Sequence, residues 1–532
     1  MTLDAVIIAG SGSESFSGTN PLKLKIDGHV ADIQTVLNFV ENNGHIKPPI
    51  IGSGKMSWAS TPKLNGIYLI SYLTKRGFSV ALIDSFFDKL SNLRLLAREK
   101  PLSIVISTTF ITNCGTLIKM VHEIRNICPE AKIIIGGPFV YASYLLYQRA
   151  REPDYLSEGA GKDFLFTADE TLPAADLFVI DQQGEQVLSQ ALLLLKNRGD
   201  FSEIPNTAAL KNGVLKFSHR SEASQPEEDS INWEKLPDDI FMSGVVPLQA
   251  SKGCPFNCAF CNFVKDRRNA SVKPLDLLVA EMNQIQARGA AYVWFVDDNF
   301  RLGKPDLEAV CHRFIHENTG LKWMTFIRAS ALDAVDPELL KRAGCVEVQL
   351  GLESADNQVL KNMNKKVTVD LYDRVLFKLL SNGINCSCYL IFGFPGETDQ
   401  SVQRTIDFMR RHEAQNLPGA LSWSIFPFLL APLSPIYEKD ARTAYRLSGH
   451  MKHWQHSTMN SETAMEYVLR AFLEIEHSGP IYRDDNQDVL RNLDLPQRKR
   501  FFTARHTLSK KAMLSQITKE EIFSVFKGAL GY

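Results

Sequence analysis

The chain has 532 residues, 45% hydrophobic and 22% charged, a composition that excludes disordered, collagen-like and coiled-coil proteins and allows about three or four domains. Lys+Arg 59 against Asp+Glu 60 leaves a formal net charge of -1, without the basic excess that drives binding to nucleic acid or anionic lipid. The first ten residues lack the basic and apolar regions of a secretory signal, and no apolar run reaches the ~20 residues that span a bilayer. The expectation is a cytoplasmic protein with neither membrane nor nucleic-acid partners.

In chain order, apolar runs at 5–8, 79–83, 103–107, 132–135 and 176–180 read as buried parallel strands, rich in Val and Ile without polar alternation. Helical spacing of apolar residues fills 66–75, 86–99 and 116–126 between them. This predicts an α/β fold, a five-strand doubly wound parallel-sheet (Rossmann-like) domain over 1–200 whose ligand lies outside the carboxyl ends of the strands. The stretch 11–61 is far longer than the ~2 to 6 residues of an ordinary strand-to-helix loop, so it reads as an insertion with a helix near 30–40 and a Gly/Ser-rich segment at 51–60.

A polar, acidic stretch at 218–239 marks a linker, set at 201–244. A second rhythm follows over 245–439. Strand candidates at 246–250, 292–296, 323–327, 346–350, 389–392 and 423–426 alternate with helical stretches at 277–287, 305–317, 337–343, 369–380 and 401–414. Six such units fit a partial (β/α)6 barrel, short of the ~250 residues of a full one. The tail, 440–532, reads as a small helical domain. Capping-box starts stand at Thr463 with Glu466 and at Thr518 with Glu521, and Met465, Val468, Leu469, Phe472 and Ile475 form an apolar stripe.

Nine cysteines are too scattered and too odd in number for a disulfide framework. Three of them, Cys254, Cys258 and Cys261, fall within SKGCPFNCAFCNF, directly after the first barrel strand. Three thiolates from one tight loop can hold three corners of a 4Fe-4S cluster, leaving the fourth iron open to a non-protein ligand. Zinc would need a further ligand pair nearby, and none stands there. Cys386 and Cys388 share one strand face and read as core, as do the isolated Cys114, Cys128, Cys311 and Cys345.

The Cys-x3-Cys-x2-Cys loop, with Phe260 before its last cysteine, resembles the signature of the radical S-adenosylmethionine (SAM) superfamily. The resemblance implies that the open iron chelates the amino and carboxylate groups of SAM, and that an electron from the cluster cleaves the sulfonium to a 5′-deoxyadenosyl radical. By the same resemblance, Asp297, Asp298 and Asn299 lie in the segment that holds the SAM amine. Arg328 lies near its carboxylate, Gly351, Glu353 and Ser354 in the ribose-binding segment, and Ile391 and Gly393 on the adenine-contacting strand. Each segment also has a structural role open to it: a turn cap for the acids, an ion pair for Arg328, and a helix start at Pro395, Gly396 and Glu397.

The sheet ahead of the barrel is similar to the cobalamin-binding domain of the cobalamin-dependent branch of that superfamily. Matching features are the helix NGIYLISYLTKRG, the Ser107, Thr108 and Thr109 loop, the Gly136, Gly137 and Pro138 turn, and the segment 181–185. The glycine pair lets backbone approach a bulky macrocycle, and the hydroxyl residues can bond its amide arms. Asp27-Gly28-His29 is similar to the start of cobalamin proteins that donate a lower histidine ligand, but Asp32 replaces the closing glycine and a surface histidine is the better reading. Gly10 and Gly12 give only a partial dinucleotide fingerprint, with no third glycine.

The resemblance implies a radical SAM enzyme using a 4Fe-4S cluster, SAM and cobalamin, a methyltransferase acting on an unactivated carbon of a small-molecule substrate. An electron donor such as flavodoxin or ferredoxin is implied as partner. The alternatives are a cobalamin-dependent cyclase or rearrangement enzyme and a methylthiotransferase; against the last, there is no additional amino-terminal cysteine trio and no basic excess.

Overall fold

The computed structural model describes residues 3–12, 22–47, 61–152, 155, 163–167, 172–200, 204–211, 214–221, 230–262, 271–300, 304–482, 485, 487–514 and 517–532. The expected Gly/Ser-rich segment 51–60 and the centre of the expected linker, 222–229, lie outside them. The chain divides into two compact units, one of Met1–Glu14 with Pro62–Pro237 and one of Ser15–Thr61 with Asp238–Tyr532.

The first unit is built on β1 (Ala5–Ile8), β2 (Val80–Ile83), β3 (Ser103–Ser107), β4 (Lys132–Gly136), β5 (Leu177–Val179), β6 (Thr207–Lys211) and β7 (Val214–Phe217), in the order β2-β1-β3-β4-β5-β6-β7. The first five pair in parallel, as expected from strands buried on both faces. The antiparallel hairpin β6–β7 then extends the edge, an addition to the five expected strands. The order reverses between β1 and β3, which places a topological switch point at the carboxyl ends of those two strands. Helix Cys114–Ile127 starts where Asn113 accepts the Thr116 N–H, and Pro138 opens helix Pro138–Arg149 at a position where its missing N–H costs nothing.

The second unit carries β8 (Val245–Leu248), β9 (Tyr292–Phe295), β10 (Lys322–Phe326), β11 (Cys345–Glu353), β12 (Asn385–Phe392), β13 (Leu421–Pro427) and the short β14 (Gly479–Pro480), paired in parallel in sequence order. This is the expected partial barrel, with β14 added from the tail. Cys386 and Cys388 are wholly buried, and burial pushes both thiols up, as core packing requires.

Residues expected as an insertion in the first domain join the second unit. Ile33, Val36 and Phe39 of helix Ile33–Glu41 share one apolar core with Phe501, Leu508, Ile522 and Phe526 of the tail helices. Asp485 ties the two segments: Oδ1 accepts the Ile33 N–H at 2.9 Å, and both carboxylate oxygens take Arg505 at 2.7 and 2.8 Å, with the guanidinium stacked 3.6 Å over Tyr482. His29 sits exposed at a hairpin turn in this unit. Asp32 caps helix Ile33–Glu41 by accepting the Thr35 N–H at 2.7 Å, which explains an acid where the cobalamin motif has glycine.

The tail also contains a small three-stranded antiparallel sheet, Ser448–His450, His453–His456 and Met459–Asn460, that the sequence reading did not expect. It moves the next helix start from Thr463 to Ser461, because Asn460 at the sheet's end supplies the cap. Of the expected stripe, Val468, Phe472 and Ile475 are buried and Leu469 is half-buried, with Ala464 packing beside them, while Met465 is exposed. Thr518 caps helix Lys519–Leu530 as expected. No described helix is long and apolar enough to cross a membrane.

Candidate functional site

Cys254, Cys258 and Cys261 follow β8 on a loop without regular structure, Cys258 buried and the other two half-buried. The two acids after β9 brace the loop's entry. Asp297 Oδ1 accepts the Ala250 N–H at 2.8 Å, its Oδ2 meets the Ser251 hydroxyl at 2.6 Å, and Asp298 Oδ2 accepts the Gly253 N–H at 3.0 Å. Burial is the largest influence on Asp297 and pushes its pKa from 3.8 up to about 7, the Ser251 and Ala250 hydrogen bonds offsetting part of the rise. Asn299 Oδ1 accepts the Arg328 N–H at 3.3 Å, so all three residues of this segment bind neighbouring protein through their side chains.

Arg328 stands beside the cysteines. Its Nη1 lies 3.7 Å from Cys258 Sγ, and its guanidinium lies 3.7 Å over the Phe256 ring. Burial raises the Cys254 thiol, while the Phe256 N–H and the Arg328 charge act against that rise. Three thiols on one loop with a guanidinium beside them fit an anionic iron-sulfur cluster, whose iron would displace the thiol protons. Among the described residues no three His, Cys, Asp or Glu side chains close round a single ion. A cubane takes each cysteine at a separate iron corner, so its thiols stand wider apart than the roughly 4 Å of a tetrahedral zinc-thiolate site.

The segments expected to bind SAM also lie at the carboxyl ends of the strands, with unequal availability. Glu353, in left-handed conformation at φ 62, forms a buried pair with Lys365 at 2.6 Å, and Lys365 Nζ lies 5.6 Å from the Phe260 ring centroid. Gly351 is confined between them: a Cβ there would stand 2.5 Å from Glu353 Oε1 and 2.9 Å from Lys365 Nζ. Ser354 is wholly buried, its hydroxyl 3.3 Å from Thr405 Oγ1. Ile391 is half-buried on β12. Both backbone groups of Gly393 are taken, the N–H by Glu397 Oε2 at 2.5 Å and the carbonyl by His456 Nε2 at 3.0 Å. A Cβ at Gly393, φ 93, would come within 2.6 Å of Ala464 and Trp454. Lys365 and His456 escaped the sequence reading because each lies in another element from the motif it touches, with no local signal of its own.

A cavity of ≈ 70 Å³, lined by Gln349, Ser387, Tyr389 and His506, lies in the same unit. Gln349 and Tyr389 precede Gly351 and Ile391 by two residues on their strands, which puts this space on the amino-terminal side of the cysteine loop.

In the first unit, Ser107, Thr108, Thr109 and the Gly136, Gly137 and Pro138 turn meet at the switch point. Thr108 is buried and internally committed, its hydroxyl donating to the Gly136 carbonyl at 2.9 Å and accepting the Phe139 N–H at 3.2 Å. Gly137 has φ 104, and a Cβ there would stand 3.0 Å from the Thr108 backbone nitrogen. Asn65 Nδ2 donates to the Ala9 carbonyl at 2.9 Å and to Ser107 Oγ at 2.8 Å, leaving its Oδ1 buried without a hydrogen-bond partner. Thr109 and Phe110 are exposed beside them. An orphaned acceptor, an open glycine turn and an exposed aromatic ring fit a macrocycle with amide arms.

The Radical SAM superfamily model matches residues 248–409, and the B12 binding domain model matches residues 60–165. An uncharacterized methyltransferase of Pyrococcus horikoshii is 24% identical over 71% of this chain and 81% of its own. The anaerobic magnesium-protoporphyrin IX monomethyl ester cyclase of Cereibacter sphaeroides is 25% identical over 75% of this chain and 63% of its own. In fold, the chain is similar to the radical SAM methyltransferase TsrM of Kitasatospora setae, solved with cobalamin and a [4Fe-4S] cluster: TM-score 0.55, 15% identity, 82% of this chain and 77% of that one. The cobalamin-dependent radical SAM enzyme OxsB, solved with aqua-cobalamin, is similar at TM-score 0.55 and 16% identity over 99% of this chain and 75% of that one. A three-cysteine loop at the mouth of a parallel barrel, in a chain that also carries a B12-binding sheet, places this protein in the cobalamin-dependent radical SAM enzyme family.

Proposed function

We propose that the protein is a methyltransferase acting on an unactivated carbon of a small-molecule substrate. The observation that carries the reading is the Cys254, Cys258 and Cys261 loop in a chain that pairs a radical SAM barrel with a B12-binding unit. When bound, the 4Fe-4S cluster with SAM supplies hydrogen abstraction, and cobalamin supplies a transferable methyl group. The three cysteines would hold the cluster, and Glu353 with Ile391 would face the SAM nucleoside. Asn65, Thr109 and the Gly137 turn would hold the corrinoid through backbone approach and amide hydrogen bonds. Nine free thiols suit a reducing compartment such as the cytoplasm, where a flavodoxin or ferredoxin would serve as electron donor.

The test is anaerobic reconstitution with iron, sulfide and cobalamin, followed by product analysis with SAM and a reductant. Equimolar S-adenosylhomocysteine and 5′-deoxyadenosine alongside a methylated substrate support the proposal. Turnover without S-adenosylhomocysteine rejects methylation and favours cyclisation, the reading that the similarity to the cyclase over 75% of the chain keeps in view. A protein that takes up iron and sulfide but no corrinoid would remove the assignment of the first unit.

A further inference from the structure

Cys258 is fixed on both sides. The Asn257 carbonyl accepts Asn364 Nδ2 at 2.6 Å, the Ala259 N–H donates to the Met363 carbonyl at 2.8 Å, and the Ala259 carbonyl accepts the Ile436 N–H at 2.9 Å. Met363, Asn364 and Lys365 form the turn after helix Asn357–Asn362, and Asn364 takes the left-handed conformation at φ 52 that asparagine tolerates. Arg328 closes the arrangement. One terminal nitrogen meets Cys258 Sγ, the other donates to the Lys365 carbonyl, and the guanidinium plane rests on Phe256. Each terminal nitrogen of the Arg328 fork thus spends one N–H on this corner, one on the cysteine sulfur and one on the turn, which orients the guanidinium toward Cys258.

We infer that Arg328 and the turn of Met363, Asn364 and Lys365 clamp the Cys258 corner of the cluster, and that Arg328 raises the cluster's reduction potential instead of binding the SAM carboxylate. A cation that hydrogen-bonds a ligating sulfur stabilises the more negative, reduced cluster, so its charge shifts the potential upward. The clamp works on geometry: both residues that flank Cys258, Asn257 and Ala259, are held by a turn more than 100 positions along the chain, as the separation of 107 residues between Asn257 and Asn364 shows. The inference rests on the reading that the three cysteines hold a cluster.

The experiment uses the full chain, anaerobically reconstituted and free of SAM, with Arg328→Met, Arg328→Lys and Asn364→Ala beside the wild type. EPR-monitored redox titration reads the potential, chelator bleaching reads cluster retention, and equilibrium dialysis reads the SAM Kd. Arg328→Met should lower the potential, Arg328→Lys should keep it near that of the wild type, and Asn364→Ala should bleach several-fold faster at unchanged potential. A wild-type potential in Arg328→Met with a SAM Kd weakened by about tenfold or more would overturn the inference in favour of carboxylate binding. Should Arg328→Met take up no cluster, an unaltered bleaching rate in Asn364→Ala still refutes the clamp. A wild type that assembles no 4Fe-4S cluster fails the functional reading itself, a result distinct from either of these.

Discussion

Asp297 offers the most direct check on how the cysteine loop is held. Its carboxyl is buried against Ala250 and Ser251, and burial raises its pKa from 3.8 to about 7. Below about pH 4 the acid is protonated in folded and unfolded chains alike and costs nothing. Between about pH 4 and 7 only the unfolded chain gives up the proton, so folding stability falls by about 1.4 kcal/mol per pH unit, to a total of about 4 kcal/mol. Above 7 both states are ionised and the loss is complete. The geometry suits the neutral acid: a proton on Oδ2 can be donated to Ser251 Oγ at 2.6 Å, and the serine can pass its own to the Asn299 carbonyl at 3.3 Å. Asp297→Asn reproduces that pattern without a titratable proton, Oδ1 accepting from Ala250 and Nδ2 donating to Ser251. Urea unfolding of the apoprotein, followed by the fluorescence of Trp294, Trp323, Trp423 and Trp454, should show the variant gaining about 2 kcal/mol on the wild type between pH 5.5 and 7. Parallel pH profiles for the two proteins would refute the buried neutral acid.

Glu397, pushed by burial from 4.5 up to about 8, should behave alike: Glu397→Gln is tolerated at pH 7 and removes the part of the stability loss that wild type suffers as pH rises from about 4.5 to 8, as thermal melts across that range would show. Gly137→Ala places a Cβ 3.0 Å from the Thr108 nitrogen at a φ of 104, and should cost about 1 to 3 kcal/mol and lower corrinoid uptake; corrinoid bound with wild-type affinity would contradict the assignment of the turn. Arg505→Ala leaves Asp485 buried and unpaired, and should destabilise the second unit by about 3 to 5 kcal/mol in denaturant unfolding. The double change Asp485→Leu with Arg505→Leu should recover part of that loss, and a double variant as unstable as the single one would show that the pair does more than neutralise itself.

What could be read from the sequence depended on the range over which each signal acts. Strands β1 to β5 and β8 to β13 announce themselves because parallel strands covered on both faces become short apolar runs, a property of neighbouring residues. The hairpin β6–β7 is an edge feature with mixed polarity, and its one strong sequence signal is the Asn212-Gly213 pair between two short runs. Helix Ile33–Glu41 was legible, but its core partners stand more than 400 residues away, and no periodicity points across that distance. The same division runs through the site. Cys254, Cys258 and Cys261 could be found because one loop must deliver three thiols, so the chemistry itself forces the residues together in sequence. Asn364, Lys365 and His456 hold that loop and the end of β12 through contacts from distant elements, under no such constraint. Local chemistry therefore names the cofactor, whereas the residues that brace its loop emerge only from the folded geometry.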